Sequence, residues 1–203
     1  MIKANILNDA PQSGSAPEVH FGEHFRQPLW VEFIISDIEK WYGCFSQDYH
    51  SGFNKVLLDE RSKLAFVVSG GIGYLIDVNK RIVKYKTNDY PTIESLILTD
   101  TPSYFVAGAI YLIYIFDSNG LMKEIKPDIM VDGIYFKSQI NGRAIGELTS
   151  AENQYRSNLG FEVDLESFEV SIFQRPLVND YKTPSNEKLG RVNFLRWLKQ
   201  IFK

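Results

Sequence analysis

IYLIYIFDSNGLMKEIK, residues 110–126, consists of two β-rich runs on either side of a DSNG turn at 117–120. Asn-Gly between apolar strands is the strongest short-range signal for a β-hairpin. A related stretch, GIGYLIDVNKRIVKYK, lies forty residues earlier at 71–86, so that Tyr74 aligns with Tyr114. The two hairpins therefore predict a structural repeat.

The same spacing recurs towards the N-terminus, where Asp37 ends WVEFIISD at 30–37. From residue 53 the chain reads as units of about 40 residues, each with four short apolar strands. There are two full units, a nearly full third, and a two-stranded half at the front. This period and strand number are typical of β-propeller blades. We predict an all-β fold of four-stranded antiparallel meanders, either closed as a small propeller or open as a propeller-like stack.

Composition changes along the chain predict four regions. Residues 1–27 are rich in Asn, Pro, Ser and Gly and show no period, which predicts a loose arm or a strap over the fold. Residues 28–173 form the β-repeat domain, and residues 174–187 are a polar, proline-containing linker. Residues 188–203 have a helical period, so the chain ends with an amphipathic α-helix packed on or beside the domain.

One arc of this predicted helix is apolar and the other is basic. Phe194 and Trp197 belong to the apolar arc, and Arg196 and Lys199 to the basic one. Such a helix can lie on an anionic membrane surface or dock on a partner. The sequence favours a third interpretation, in which the helix covers an exposed end of the β stack and its lysines reach into water.

The net charge of −3 over 203 residues is unevenly distributed. Residues 188–203 contain five cations and no acid, so the charge of residues 1–187 is −8. An acidic body argues against nucleic acid as a partner and favours a basic protein. Cys44 is the only cysteine, and no leader or membrane span is visible. We therefore expect a cytoplasmic protein without disulfides.

The chain offers no convincing catalytic or metal-binding motif. Residues 20–24, HFGEH, match the H-x-x-E-H pattern of a zinc peptidase class, but that chemistry needs a helix and Gly22 interrupts one. His50 stands alone in a polar connection, which is typical of a surface histidine. The glycines at 70–73 lack the lysine of a phosphate loop and indicate a hairpin. We predict that the protein is not an enzyme and holds no metal or cofactor.

Two neighbouring segments are the best candidates for partner binding. Residues 149–158 interrupt the repeat spacing, and insertions in repeat proteins often map to a binding face. Three acidic residues then share one side of the strand that follows, although a half-exposed strand gives the same pattern. The predicted partner-binding residues are Glu152, Tyr155, Arg156, Glu162, Asp164 and Glu166.

By elimination, these features favour a non-enzymatic protein-binding module. A small, acidic domain without a catalytic motif is what we expect of an inhibitor or immunity-type protein that neutralises a basic toxin through its acidic surface. The alternative is a propeller-type protein that binds or hydrolyses glycans. It predicts a concave pocket that holds at least two carboxylates.

Overall fold

The computed structural model describes residues 1–23, 27–47, 52–150 and 159–174. These residues form four sheets of four strands, which we call blades 1 to 4. Blade 1 holds β1 (Lys3–Leu7), β2 (Glu18–Phe21), β3 (Leu29–Ile34) and β4 (Lys40–Phe45). Blade 2 holds β5 (Lys55–Asp59), β6 (Leu64–Ser69), β7 (Ile72–Asp77) and β8 (Ile82–Lys86). Blade 3 holds β9 (Ile93–Leu98), β10 (Phe105–Ala109), β11 (Ile113–Asp117) and β12 (Gly120–Ile125). Blade 4 holds β13 (Val131–Ile140), β14 (Arg143–Ser150), β15 (Leu159–Asp164) and β16 (Val170–Gln174).

The predicted all-β, propeller-like repeat is confirmed. In blades 2 to 4 consecutive strands pair antiparallel, as in a meander. Solvent exposure follows the same period. Residues 81–90 and 121–130 show the same order of buried, half-buried and exposed positions. The predicted insertion began at residue 149, but residues 149 and 150 belong to β14. Its other residues, 151–158, and the predicted helix at 188–203 lie outside the described residues.

Blade 1 corrects the prediction of a two-stranded half behind a loose arm. Strand β1 pairs antiparallel with β3, and β2 pairs parallel with β4 on the opposite edge. Both strands are too short to show a period. Their buried side chains are Ile2, beside β1, and Phe21, at the end of β2, and Ala4 and Val19 pack against the same core. The N-terminal region is therefore part of the sheet.

Residues 8–17 cross from the β1 edge of blade 1 to the β2 edge. The backbone N–H of Tyr42 donates to the Pro17 carbonyl at 2.9 Å, and the Tyr42 side chain hydrogen-bonds with Ser15. Tyr42 and Cys44 face away from blade 2 and are buried. This segment thus covers the outer face of blade 1, in agreement with the strap that the sequence suggested as one possibility.

Blade 1 also runs in the opposite direction to the other blades. The Trp41 Nε1–H donates to the Val78 carbonyl at 3.1 Å, and the Ser69 hydroxyl donates to the Phe45 carbonyl at 3.3 Å. These contacts place β4 antiparallel to β7. By contrast, β7 and β11, the corresponding strands of blades 2 and 3, run parallel to each other. The Asp37 turn joins the second and third strands of its sheet, so its alignment with the later hairpins as a third blade repeat is wrong.

The buried apolar residues of the described chain form three clusters, one at each junction between consecutive blades. Strands β6 and β10 are buried at every position, because blades 2 and 3 have a neighbour on both faces. The central strands of blade 4 alternate between buried and half-buried positions. Within the described residues, the four blades therefore form an open stack with blades 1 and 4 at its ends.

The two edges of the stack differ in their connections. We call the edge where the chain passes between blades, at 87–92 and 126–130, the loop end. The opposite edge carries the hairpins at 77–82, 117–120 and 164–170, and we call it the turn end. Among the described residues, no helix is both long and apolar enough to cross a bilayer.

Candidate functional site

The turn end is built from aspartates that cap backbone amides. One carboxylate oxygen of Asp117 accepts from the N–H groups of Asn119 at 2.7 Å and Gly120 at 3.2 Å. Asp77 accepts from the Lys80 N–H at 3.0 Å. Asp164 accepts from the N–H groups of Glu166 and Ser167 at 3.0 and 2.9 Å. These aspartates form the hairpins, as their position before turn residues predicts.

The predicted acidic strip lies on the face of blade 4 that points away from blade 3. Glu162 and Asp164 share this face of β15, and Arg143 of β14 lies beside both. The Arg143 guanidinium bonds to the Glu162 carboxylate, and its Nε lies 3.8 Å from Asp164 Oδ2. The backbone N–H groups of Ser167 and Glu166 lower the pKa of Asp164. Arg143 therefore compensates part of the strip's charge.

Glu166 lies in the exposed hairpin after β15, so only Glu162 and Asp164 share the predicted strand face. The other predicted contact residues lie outside the described residues, and their contribution stays a prediction. They are Glu152, Tyr155 and Arg156 of the insertion, and Phe194, Arg196, Trp197 and Lys199 of the C-terminal segment.

The H-x-x-E-H match is not on a helix. His20 belongs to β2, and Gly22 has a φ of +109°. The His20 ring packs edge-on against Trp30, with 5.7 Å between the ring centroids. His24 and His50 lie outside the described residues, and among the residues described no group of three potential ligands could hold a metal ion. A strand cannot place two ligands as the peptidase motif requires.

A cleft of about 480 Å³ opens at the turn end between blades 2 and 3. It holds two carboxylates, those of Asp59 and Asp117. Asp59 Oδ2 accepts from the hydroxyls of Ser62 at 2.9 Å and Ser103 at 3.0 Å, and Oδ1 accepts from the Arg61 N–H at 3.0 Å. Asp59 thus joins blade 2 to blade 3, and both acids of the cleft already bond to protein groups.

Burial raises the pKa of Asp59, but the hydrogen bonds from Ser62, Arg61 and Ser103 outweigh it, and the pKa falls below its ordinary value. The ionised carboxylate therefore stabilises the fold above pH ~4, and this contribution is lost as the pH falls through the folded-state pKa.

We expect Asp59→Asn to lower the free energy of unfolding by about 1–3 kcal/mol at pH 7, because the hydroxyl and amide donors lose a charged acceptor. The difference from wild type should be smaller at pH 3, below the ordinary pKa of an aspartate, because the unfolded chain there takes up a proton that the folded carboxylate resists. Urea titrations at both pH values measure it. Asp128→Asn, at an exposed position, is the matched control, and an equal loss in both variants would contradict the role of Asp59.

The loop end exposes large apolar side chains at equivalent positions of successive blades. Tyr90 precedes blade 3 and is 62% exposed, and Met130, forty residues later, precedes blade 4 and is 64% exposed. Ile129, beside Met130, is 37% exposed. Tyr111, in the β10–β11 connection at the same end, contacts Tyr90 with 5.7 Å between the ring centroids. These residues form an apolar surface that we call the loop-end patch: Tyr90, Tyr111, Ile129 and Met130.

Charged residues surround the loop-end patch. Asp89, Asp128 and Asp132 are exposed beside it, together with the cations Lys86 and Lys126. Lys86 Nζ lies 3.6 Å from Asp89 Oδ1, so one aspartate is already paired. The loop end is therefore apolar at Tyr90 and Met130 and mildly acidic around them.

A further carboxylate lies on the inner strand of blade 3 near the loop end. Glu94 accepts a hydrogen bond from Tyr135, and burial together with this bond raises the pKa of Tyr135 to about 12. Glu94 Oε2 is buried and has no hydrogen-bond partner among the described residues. Within the described chain it is the only buried side-chain polar atom without a hydrogen-bond partner. It lies at the same end of the stack as the exposed aspartates around the loop-end patch.

The strand-based reading of the sequence missed the loop-end patch. Strand periodicity gives no information about the connections between blades, and the predicted contact residues belong to an insertion and an acidic run. The available signal was a large apolar residue in each polar connection, at the same place in the forty-residue period. Large apolar side chains in such connections are informative when they recur on one surface.

No protein-family model matches the chain, and no curated protein matches it. Several solved structures resemble it weakly. The structure of Saccharomyces cerevisiae Sqt1 shares 10% identity at a TM-score of 0.47, over 76% of this chain and 50% of that one. The Neurospora crassa Pan2 WD40 domain shares 14% at 0.46, over 64% and 40%. The computationally designed Ika8 protein shares 8% at 0.47, over 74% and 47%.

The chain thus spans half or less of the length of each of these structures. Likenesses this weak carry no information about function.

Proposed function

We propose that this protein is a non-enzymatic protein-binding module that contacts its partner through the loop end. The exposure of Tyr90 and Met130 at repeat-equivalent positions carries the proposal. Tyrosine and methionine are enriched in protein interfaces, and a few buried anchors supply most of the binding energy. Two such anchors on one edge of a rigid stack form a suitable contact surface.

The charges around the patch indicate a basic partner. The aspartates at 89, 128 and 132 would lie at the rim of the contact, where charge steers association and suppresses wrong partners. The acidic body of residues 1–187 acts in the same direction over a longer range. A basic toxin domain neutralised by an inhibitor or immunity-type protein is the partner class that best fits this combination.

The turn-end cleft supports the glycan alternative less well. A glycosidase needs one carboxylic acid with a raised pKa to protonate the leaving group. The pKa of Asp59 is lowered, and Asp117 is held by two amides of its own turn. Because both acids of the cleft stabilise the fold, binding at the loop end is the better-supported function.

We also propose the cytoplasm as the compartment, since a chain with one cysteine has no intrachain disulfide to form in an oxidising compartment. Burial raises the pKa of the Cys44 thiol to about 11, so the chain's single thiol is almost entirely protonated at neutral pH. A buried, protonated thiol behaves as a small apolar core residue.

The proposal predicts that Tyr90→Ala with Met130→Ala weakens partner binding on the order of 100-fold, about tenfold for each anchor. The tagged protein is incubated with extract of the source cell and washed at low and at high salt, and retained proteins are identified by mass spectrometry. The matched control is Ile38→Ala with Ile82→Ala, which removes two exposed apolar side chains away from the loop end.

We expect the wild type and the control to retain the same basic protein in low salt, and the loop-end variant to lose it. Co-expression with the wild type, and not with the loop-end variant, should then relieve the toxicity of that protein. Equal retention by both double variants would place the contact elsewhere. Retention that high salt leaves unchanged would argue against an acidic rim.

A further inference from the structure

The outer face of blade 4 differs from the equivalent face of blade 3. In blade 3 this face carries Val106, Ile113 and Ile115, which are fully buried against blade 4. In blade 4 the same side of β14 carries Arg143, Ile145 and Glu147. No sheet of the described chain packs on this face, so it has to be covered in another way or remain in water.

The face is amphipathic. Apolar contacts come from Ile145 and from Phe173, which packs on Gly160 and is 42% exposed. Ile140, at the edge of the same face, is 50% exposed. Ion pairs lie between these side chains. Arg143 pairs with Glu162 and Asp164, and Lys137 Nζ lies 3.5 Å from Glu147 Oε2.

Charge on and beside this face is predominantly negative. Two cations face five carboxylates, when the exposed Glu166 and Glu169 of the adjoining hairpin are included, for a net charge of −3. A surface of this kind fits an amphipathic element with apolar residues on one side and cations at its margins. Its partner should therefore be a basic amphipathic helix.

The opposite end of the stack shows how this chain covers such a face. Residues 8–17 cross the outer face of blade 1 and bury Tyr42 and Cys44. The covering segment follows directly from β1, an edge strand of the same sheet. At the other end, the chain leaves blade 4 from β16, also an edge strand, with residues 175–203 still to follow.

We propose that residues 188–203 dock on the outer face of blade 4. Their five cations complement the charge of −3 on that face, and Phe194, Leu195, Trp197, Leu198 and Ile201 would cover the apolar side chains. The connection of 13 residues, 175–187, can span up to about 40 Å, which allows the segment to reach any part of the face. Terminal units of repeat proteins need such a cover for solubility.

Hydrogen exchange of the full-length protein, read by mass spectrometry, tests the proposal. In the wild type the amides of 188–203 should be protected. Ile145→Asp removes the apolar centre of the docking face, and Glu162→Lys reverses a charge on it. Each should accelerate exchange of 188–203 by ~10-fold or more, because docked segments exchange through local opening.

Glu124→Lys, at an exposed position on blade 3, makes the same charge change away from the face and should leave 188–203 protected. Unchanged exchange of β6 and β7 in each variant shows that the fold is intact. Unprotected 188–203 in the wild type would overturn the proposal. Protection that appears only with phosphatidylserine vesicles, or only at protein concentrations that give a dimer, would also overturn it in favour of a membrane or a second copy.

Discussion

Gly108→Ala is expected to destabilise the protein by about 3 kcal/mol or more, the upper part of the range for overpacking. A Cβ at this position would lie 2.2 Å from the carbonyl oxygen of Ile134 and 2.6 Å from the hydroxyl of Ser95. Neither can move easily, because the Ser95 hydroxyl donates to the Ile134 carbonyl at 2.8 Å and accepts from the Phe136 N–H at 2.9 Å. The methyl group would therefore force blades 3 and 4 apart.

Gly142→Ala separates this steric effect from the general cost of losing a glycine. Gly142 has a φ of +75°, and a Cβ added there would have no atom within 4 Å, so alanine meets only backbone strain of about 1 kcal/mol. Thermal unfolding should show a Tm shift of roughly 2–4 °C per kcal/mol for a chain of this size. Equal melting temperatures for Gly108→Ala and the wild type would show that the two blades do not meet as closely as described.

The forty-residue period made blades 2 to 4 predictable. Strands β7 (Ile72–Asp77) and β9 (Ile93–Leu98) coincide with apolar runs of the repeat, because each run ends at a turn whose residues favour it. The Gly70-Gly71 turn has positive φ at both positions, 58° and 86°. In blades 2 to 4 the local turn and strand preferences agree with the tertiary packing, so their fold could be predicted from the sequence.

Blade 1 was not predictable in the same way. Strand β2 has four residues and pairs in parallel with β4, and no local signal indicates a parallel partner more than twenty residues away. The reversed direction of this blade depends on contacts such as Trp41 to Val78. Those contacts are long-range, and a hairpin signal contains no information about which neighbour the hairpin meets.

The candidate site was only partly visible in the sequence. The strip of Glu162 and Asp164 is present, but its pairing with Arg143 requires the register of β14 against β15. The loop-end patch arises from the stacking of blades, which brings the connections at 87–92 and 126–130 to one edge. Periodicity identifies strands, and the connections between them acquire a common surface only when the blades are packed.

Trp41→Ala is expected to cost about 3–5 kcal/mol, the usual range for removing a buried tryptophan. Trp41 is fully buried at the junction of blades 1 and 2. Its ring stacks on Phe33 with 4.3 Å between centroids, and its Nε1–H donates to the Val78 carbonyl at 3.1 Å. The substitution removes both the largest side chain of the junction and a hydrogen bond between the blades. Urea denaturation followed by far-UV circular dichroism measures the loss.

Trp30→Ala is the matched control, since Trp30 belongs to the same sheet but faces away from blade 2 and is half-buried. We expect it to cost less than about 1.5 kcal/mol. Trp41→Phe should fall between the two, at about 1–3 kcal/mol, because it keeps an aromatic ring against Phe33 and leaves the Val78 carbonyl without its donor. Equal losses for Trp30→Ala and Trp41→Ala would mean that blade 1 is not held to blade 2 through this face. The predicted order would show that the short N-terminal strands belong to a sheet whose attachment depends on one buried indole.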